Sequence, residues 1–331
     1  MAVNAAIIGL GWWGRHLLKQ MQPSPALNFV VAVGSREPHR AVAEEFEIPF
    51  TLDFESVLKD ARIDMVVITT PHAFHANQVM QAASYRKHVF CEKPLSLTLA
   101  DARACALACR SAGVRLGIGH ERRFEAALRA ASALVRRGEL GKIMHAEGSF
   151  SHDKLANLSN ENWRLKEAAY VPLPLSGTGI HMTDLFADLL GGITEVYASS
   201  PLRDSNEACK TLSLHLRFGS GSTGYVNSTL ETPLYMRIAF FGTSGWVEVR
   251  NLDHPDSRGA SVMTVRMSDG SEHTSWFEWN DSVRENLEAF CRTITANEVY
   301  PVSDAQMVAN IAVMEAVSQS LRVNRPVRPE E

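Results

Sequence analysis

The sequence is poor in the features that mark secreted, membrane or nucleic-acid-binding proteins. Its five cysteines (Cys91, Cys105, Cys109, Cys209 and Cys291) are odd in number and show no CxxC spacing. That argues against a fully paired disulfide framework and provides no zinc motif. Cys105 and Cys109 share a helix face, but two thiols alone make no metal site, so a reduced, cytoplasmic protein without structural metal is expected. Charge is nearly balanced, with 33 Lys and Arg against 37 Asp and Glu. Bulk electrostatics therefore favour neither nucleic acid nor an anionic membrane as partner. No apolar run reaches the length of a membrane span. The N-terminus lacks the basic flank and cleavage site of a signal peptide, its apolar residues being needed for a first strand. There are no repeats and no low-complexity linker.

What is present begins at the N-terminus. Ala5 to Leu10 reads as a buried strand entering Gly9-Leu10-Gly11-Trp12-Trp13-Gly14, followed by the amphipathic stretch Arg15 to Met21. In a strand–turn–helix unit, Gly9 permits the turn, Gly11 lets a pyrophosphate approach the backbone, and Gly14 lets helix and strand pack closely. The helix N-terminus then offers unpaired N–H groups to the anion. A plain glycine turn between two packed elements is the competing reading.

At 331 residues the chain is long enough for two domains. Through the first third, apolar runs (Phe29 to Val33, Met65 to Thr69, His88 to Cys91, Val114 to Ile118) alternate with helical stretches. That order implies a parallel sheet with helices on both faces. After about Arg123 the pattern changes to long strands of period two. In Leu212 to Phe218 the leucines alternate with Ser213, His215 and Arg217, and Asp269-Gly270 marks a hairpin. Ser282 and Ser303 open two final helices with capping-box spacing. The expected fold is an α/β Rossmann domain over residues 1–122 and an α+β domain with a mostly antiparallel open sheet over 123–331.

Five motifs stand in fixed order: GLGWWG; Thr69-Thr70-Pro71-His72 with His75; Cys91-Glu92-Lys93-Pro94; Gly177-Thr178-Gly179-Ile180-His181; and Gly242-Thr243-Ser244-Gly245. Together they resemble the glucose–fructose oxidoreductase, inositol dehydrogenase and rhizopine-catabolism (Gfo/Idh/MocA) family of NAD(P)-dependent oxidoreductases, over essentially the whole chain. The resemblance implies a nucleotide-binding first domain and a substrate-binding second domain whose sheet often builds homodimers or homotetramers. Lys93 falls at the carboxyl end of a parallel strand, where such sheets place ligands. A cation there stabilises charge on the oxygen whose carbon gives up hydride, with Glu92 orienting Lys93 or the ribose. His181 matches the family's general acid/base histidine, and imidazole suits that role because it titrates near neutrality. Relatives carry an aspartate four positions earlier, where this chain has Gly177. Asp184, one helical turn on, is the candidate to orient the ring, with an exposed helix-start acid as the alternative.

By the same resemblance Thr70, Pro71, His72 and His75 lie beside the nicotinamide, while His120, Trp163 and Arg164 are candidates to touch substrate. His72 and His75 have no third ligand, so a metal is not expected. His215, His254 and His273 read as ordinary surface residues. The second strand ends in Ser35 and Arg36, with Arg40 one turn on, where NAD-preferring domains place an acid. A hydroxyl and guanidinium groups suit a 2′-phosphate, so NADP is expected ahead of NAD. The expected activity interconverts a secondary alcohol and a carbonyl on a sugar, inositol or related cyclic polyol. The alternatives are an NAD-dependent glycoside hydrolase that oxidises its substrate transiently, and a non-catalytic NADP-binding regulator.

Overall fold

The computed structural model describes residues 2–168, 170–201 and 209–330. The chain divides into two compact units, Met1–Glu121 with Val283–Val308, and Arg122–Ser282 with Ala309–Glu331. The expected division at 122 and 123 treats everything beyond it as one domain. The structure instead returns residues 283–308 to the first unit.

In chain order the first unit begins with β1 (Val3–Ile8), α1 (Trp12–Met21), β2 (Leu27–Val33), α2 (Arg40–Glu45), β3 (Phe50–Thr51) and α3 (Phe54–Lys59). It continues through β4 (Met65–Ile68), α4 (His72–Ser84), β5 (His88–Cys91), α5 (Leu99–Ala112) and β6 (Leu116–Ile118). The six strands pair in the order β3-β2-β1-β4-β5-β6, all parallel. Every residue of β4 is buried, as a strand covered on both faces requires. Strand order reverses beside β1, which puts the glycine turn at the switch point where such sheets bind ligands. At the start of α5, the Thr98 hydroxyl accepts from the Asp101 N–H at 3.1 Å, capping the helix as the spacing predicts.

The second unit contains α6 (Ala126–Arg136), β7 (Ile143–Ser151), α7 (Trp163–Glu167), α8 (Ile180–Leu190) and β8 (Ile193–Ser199). Then come β9 (Thr211–Phe218), β10 (Thr223–Thr229), β11 (Tyr235–Gly242), β12 (Gly245–Asn251), β13 (Ala260–Met267) and β14 (Glu272–Glu278). The eight strands run β14-β13-β12-β11-β7-β10-β9-β8, and only the β7–β10 pair is parallel. Leu212, Leu214, Leu216 and Phe218 are buried on one face of β9 while His215 and Arg217 are exposed on the other. Gly148 of β7 admits α8 closely, since a Cβ there would stand 3.0 Å from the Phe186 ring. Among the described residues no helix is long and apolar enough to cross a membrane.

Two helices close the chain, α9 (Ser282–Thr295) and α10 (Asp304–Val323). Leu287 and Phe290 of α9 join the first unit's core with Ile7, Leu17, Val67 and Phe90. Phe290 lies so close to β6 that a Cβ on Gly117 would meet its ring at 2.6 Å. The open edge of β6 is satisfied by side chains: the Asn286 amide and the Tyr300 hydroxyl both donate to the Ile118 carbonyl, each at 2.9 Å. Truncating Phe290 to alanine is expected to cost the first unit about 3–5 kcal/mol, as for a buried aromatic. Chemical denaturation measures this, and a loss under about 1 kcal/mol would mark α9 as peripheral to that core.

Candidate active site

In the first unit the glycine turn has the geometry of an anion cradle. Gly9 takes φ +98°, the left-handed region that favours glycine. At Gly14 a Cβ would fall 2.2 Å from the Gly9 carbonyl oxygen, so only glycine lets α1 pack on the turn. At Gly11 nothing stands within 4 Å of where a Cβ would be, which leaves that backbone open to a ligand. α1 starts at Trp12 with no side-chain cap and no acid in its first turn, so its first N–H groups can meet an anion. Trp12 is exposed, whereas Trp13 packs on the core. Thr69 donates its hydroxyl to the Gly9 carbonyl at 2.6 Å, pinning the turn to the end of β4. These residues fit a dinucleotide pyrophosphate.

Glu92 and Lys93 follow β5 at the same carboxyl edge of the sheet. Glu92 is buried and packs on Gly119, where a Cβ would fall 2.3 Å from its Oε2. Burial pushes its carboxyl up to about 7, against the opposing pull of the Trp13 indole and Lys93. Lys93 itself is half-buried. Cys91 is a packing residue whose thiol burial pushes well above its ordinary range. Thr70 donates its hydroxyl to Gln78 at 2.6 Å, and Pro71 precedes His72, the first residue of α4.

His75 lies elsewhere than expected. It is fully buried, with Nδ1 2.7 Å from the Pro94 carbonyl and Nε2 2.8 Å from the Thr70 carbonyl. It therefore braces the loop after β4 against the loop after β5 and is not presented to a dinucleotide. Burial lowers its pKa against the pull of both carbonyls. His120, just beyond β6, is also buried.

Ser35 and Arg36 are exposed just past the end of β2. His39 orders this corner: the Ser35 N–H approaches its Nδ1 at 3.3 Å and the Arg36 Nε approaches its Nε2 at 3.3 Å. Arg40 pairs with Glu37 at 2.9 Å and lies over the Phe50 ring. The nearby acid thus already has a cationic partner.

In the second unit, His181 is the second residue of α8 and is buried. A π-helical turn, Leu175–Gly179, leads into it, a feature frequent at functional sites. At Gly177 a Cβ would stand 3.3 Å from the Leu155 methyl Cδ1, so the position faces an apolar neighbour. Asn310 of α10 donates to the Ile180 carbonyl at 3.2 Å and accepts from Thr183 at 2.7 Å, holding the start of α8. Asp184 is not an exposed helix-start acid. It is buried, and both its oxygens accept from the Arg123 guanidinium, at 2.6 and 2.7 Å. The exposed-acid reading is corrected accordingly: Asp184 anchors α8 to Arg123. Trp163 and Arg164 open α7, with the guanidinium stacked 4.2 Å from the Trp163 ring centre. Burial pulls the Arg164 pKa down.

The residues that sequence reasoning missed surround Phe150, near the end of β7. Ring centres of His152, His254 and His181 lie 5.6, 5.8 and 6.2 Å from that of Phe150, and the Arg122 guanidinium lies over it at 5.2 Å. Arg122 pairs with buried Glu125, which also accepts from Asn251 at 3.0 Å. Burial pushes the Glu125 carboxyl up despite these partners. His254, expected on the surface, is half-buried with Nδ1 2.5 Å from Asp256. Asp256 also accepts from Lys154 at 2.8 and 2.9 Å. Only the alternation that turns Phe150 and His152 to one face hinted at this cluster.

Comparison with known proteins follows this geometry. Residues 3–120 match the GFO/IDH/MocA model described as an oxidoreductase family with an NAD-binding Rossmann fold, and residues 128–248 match the GFO/IDH/MocA C-terminal domain. The chain is similar to D-xylose 1-dehydrogenase (NADP(+)) 2 of Haloferax volcanii, 29% identical over 89% of this chain and 90% of that protein. It is 28% identical to scyllo-inositol 2-dehydrogenase (NAD(+)) of Bacillus subtilis, over 98% and 96% of the two chains. The fold is shared with aldose-aldose oxidoreductase from Caulobacter crescentus, with a TM-score of 0.87 at 24% identity, covering 99% and 100% of the chains.

The Glu92 environment generates a pH prediction. Its folded pKa of about 7 stands above the ordinary 4.5. The stability it contributes is therefore full below pH 4.5, falls as pH rises toward 7 and is lost above it, a change of about 3 kcal/mol. Glu92→Gln should flatten that slope. Urea unfolding of both proteins at pH 5 and pH 8 measures it, and identical pH dependence in the two would refute the buried-acid account.

Proposed function

We propose that this chain, which belongs to the GFO/IDH/MocA family of NAD-binding oxidoreductases, interconverts a secondary alcohol and a carbonyl on a neutral sugar, inositol or related polyol. The observation that carries the reading is the shared carboxyl edge of the first sheet. The open Gly11 backbone, the uncapped start of α1 and the Glu92-Lys93 pair all stand there. The nicotinamide cofactor, when bound, supplies the hydride acceptor or donor. Gly9, Gly11 and Gly14 would hold its pyrophosphate, with Trp12 at the mouth of the turn. Lys93 would hold the reacting oxygen and stabilise negative charge on it. His181 would take or return the hydroxyl proton. Asp184 acts through Arg123 as a positioning residue for the helix that carries His181.

NADP is favoured over NAD. Past β2 no acid waits for the ribose hydroxyls, Glu37 is paired with Arg40, and Ser35 and Arg36 are exposed. A reducing, cytoplasmic setting suits four buried thiols. A homo-oligomer is supported by the open face of the second sheet, where Tyr197, Tyr225, Arg237, Phe241, Trp246 and Trp276 gather, residue types enriched in interfaces.

Tryptophan fluorescence titration with NADPH and NADH tests the cofactor. Tighter NADPH binding is expected, weakened about tenfold by Arg36→Ala with NADH affinity unchanged. Failure to bind either nucleotide, in protein shown by absorbance to carry none, would sink the proposal. In a polyol screen, Lys93→Met and His181→Asn should each lower kcat by about 10²–10⁴-fold while leaving nucleotide affinity intact.

A further inference from the structure

Resting on the NADP reading above, we infer that His39 is a third, proton-gated partner of the cofactor's 2′-phosphate beside Ser35 and Arg36. NADPH binding then takes up a proton at this ring, and the preference for NADPH over NADH grows as pH falls.

His39 faces more donors than it can serve. Past β2 the chain closes a short 3₁₀ turn, Glu37–His39, with the His39 N–H donating to the Arg36 carbonyl at 3.1 Å. Side chains three positions apart eclipse in such a turn, which brings the Arg36 guanidinium onto the His39 ring. Two N–H groups reach the ring, one at each nitrogen: the Ser35 backbone N–H at Nδ1 and the Arg36 Nε–H at Nε2, both at 3.3 Å. A neutral imidazole accepts at one nitrogen only, and an imidazolium at neither. The Ser35 amide is set by the backbone, where the preceding Gly34 donates to the Thr51 carbonyl at 3.1 Å. The Arg36 side chain is exposed and can turn. Nδ1 therefore accepts from Ser35, and Nε2 carries the proton.

The Arg36 Nε–H and the His39 Nε2–H are then two donors face to face, the complement of an anion, which only accepts. Burial lowers the His39 pKa and the Arg36 charge lowers it further, so the free ring is neutral at pH 7. The carboxylates of this corner are engaged elsewhere. Glu37 pairs with Arg40, on which Glu44 also acts, and Glu45 of α2 pairs with Arg15 of α1. Asp53, past β3, accepts from the Ser56 N–H at 3.0 Å, while β3 itself brings only the Phe50 ring against the Gly34 on which His39 packs. A phosphate monoester carries about two negative charges at pH 8, and an opposite charge favours the imidazolium. The bound ring thus keeps its proton to higher pH than the free ring. His39 strengthens NADPH binding at low pH, and the gain is lost as pH rises through the raised pKa. NADH has no 2′-phosphate and draws no such response from the ring.

Isothermal titration of full-length, nucleotide-free protein in two buffers of different ionisation enthalpy counts the proton. At pH 7 more proton uptake is expected with NADPH than with NADH, and His39→Gln should bring the two nucleotides to the same value. Between pH 8.5 and pH 6.5, NADPH binding should tighten about tenfold more in the wild type than in His39→Gln. The variant supplies the baseline, because it retains the phosphate's own protonation near pH ~6. Equal pH dependence in the two proteins overturns the inference, and the NADP reading survives if NADPH still binds more tightly than NADH. Binding of NADH alone ends both. Should His39→Gln fail to fold, long-range ¹H–¹⁵N spectra of the histidine-labelled wild type decide. Passage of the His39 ring from the Nε2–H tautomer to imidazolium on addition of NADPH at pH 7 supports the inference, and a ring unchanged by NADPH overturns it.

Discussion

The closest constraint in the first unit is the approach of α1 to the turn after β1. A Cβ on Gly14 would stand 2.2 Å from the Gly9 carbonyl oxygen, well inside van der Waals contact, so backbone meets backbone with no side chain between. That carbonyl accepts from Thr69, the next residue carries the carbonyl held by His75, and His75 reaches on to Pro94 beside Lys93. The glycine turn and the lysine loop are thereby linked along the sheet edge through His75, whose neutral ring donates its one N–H to one of the two carbonyls and packs against the other. A buried group with both ring nitrogens on backbone carbonyls has little freedom, which explains why three loops of different sequence hold one arrangement.

The second unit solves a similar problem with charge. α8 must present His181 from a helix that begins in a π-helical turn with no side-chain cap. It is held by Asn310 at its first carbonyl and by Arg123 through Asp184. Buried ion pairs recover their desolvation only with good geometry, and the two-pronged Arg123–Asp184 contact has it. Arg123 also reaches Asp188 at 3.1 Å, and Arg136 pairs with the same carboxylate. The helix is thus fixed along two successive turns.

The fold class, the glycine turn and the order of most strands were legible because they rest on local signals: apolar runs, spacing and turn residues. Elements without such signals were not. β3 has only two residues. β7, central to the second sheet, gives a weak alternation signal because its buried positions include Ala146 and Gly148, the latter leaving room for Met182 and Phe186 of α8. The return of α9 to the first unit is likewise silent in sequence, since an amphipathic helix does not say which core it faces. Among the candidate residues, Lys93, His181 and the glycines carry motif spacing. His254 carries none, because its surroundings come from Phe150, His152 and Lys154, about a hundred positions away.

The buried carboxylates differ in the partners that hold them. Asp184 and Asp256 are both desolvated and both bonded by cations. Arg123 meets both oxygens of Asp184, and the two-pronged contact serves as a fixed strut. Asp256 bonds to an imidazole, whose second nitrogen changes from acceptor to donor with a single proton. The same carboxylate also takes Lys154, and the two bonds together hold it below the ordinary range. Glu92 forms a third case: it is crowded against Gly119, and burial brings its carboxyl near neutrality, so it can stand beside Lys93 either charged or neutral. The buried carboxylates thus differ by whether their cations outweigh desolvation: at Asp256 they do, and at Glu92 and Glu125 burial prevails.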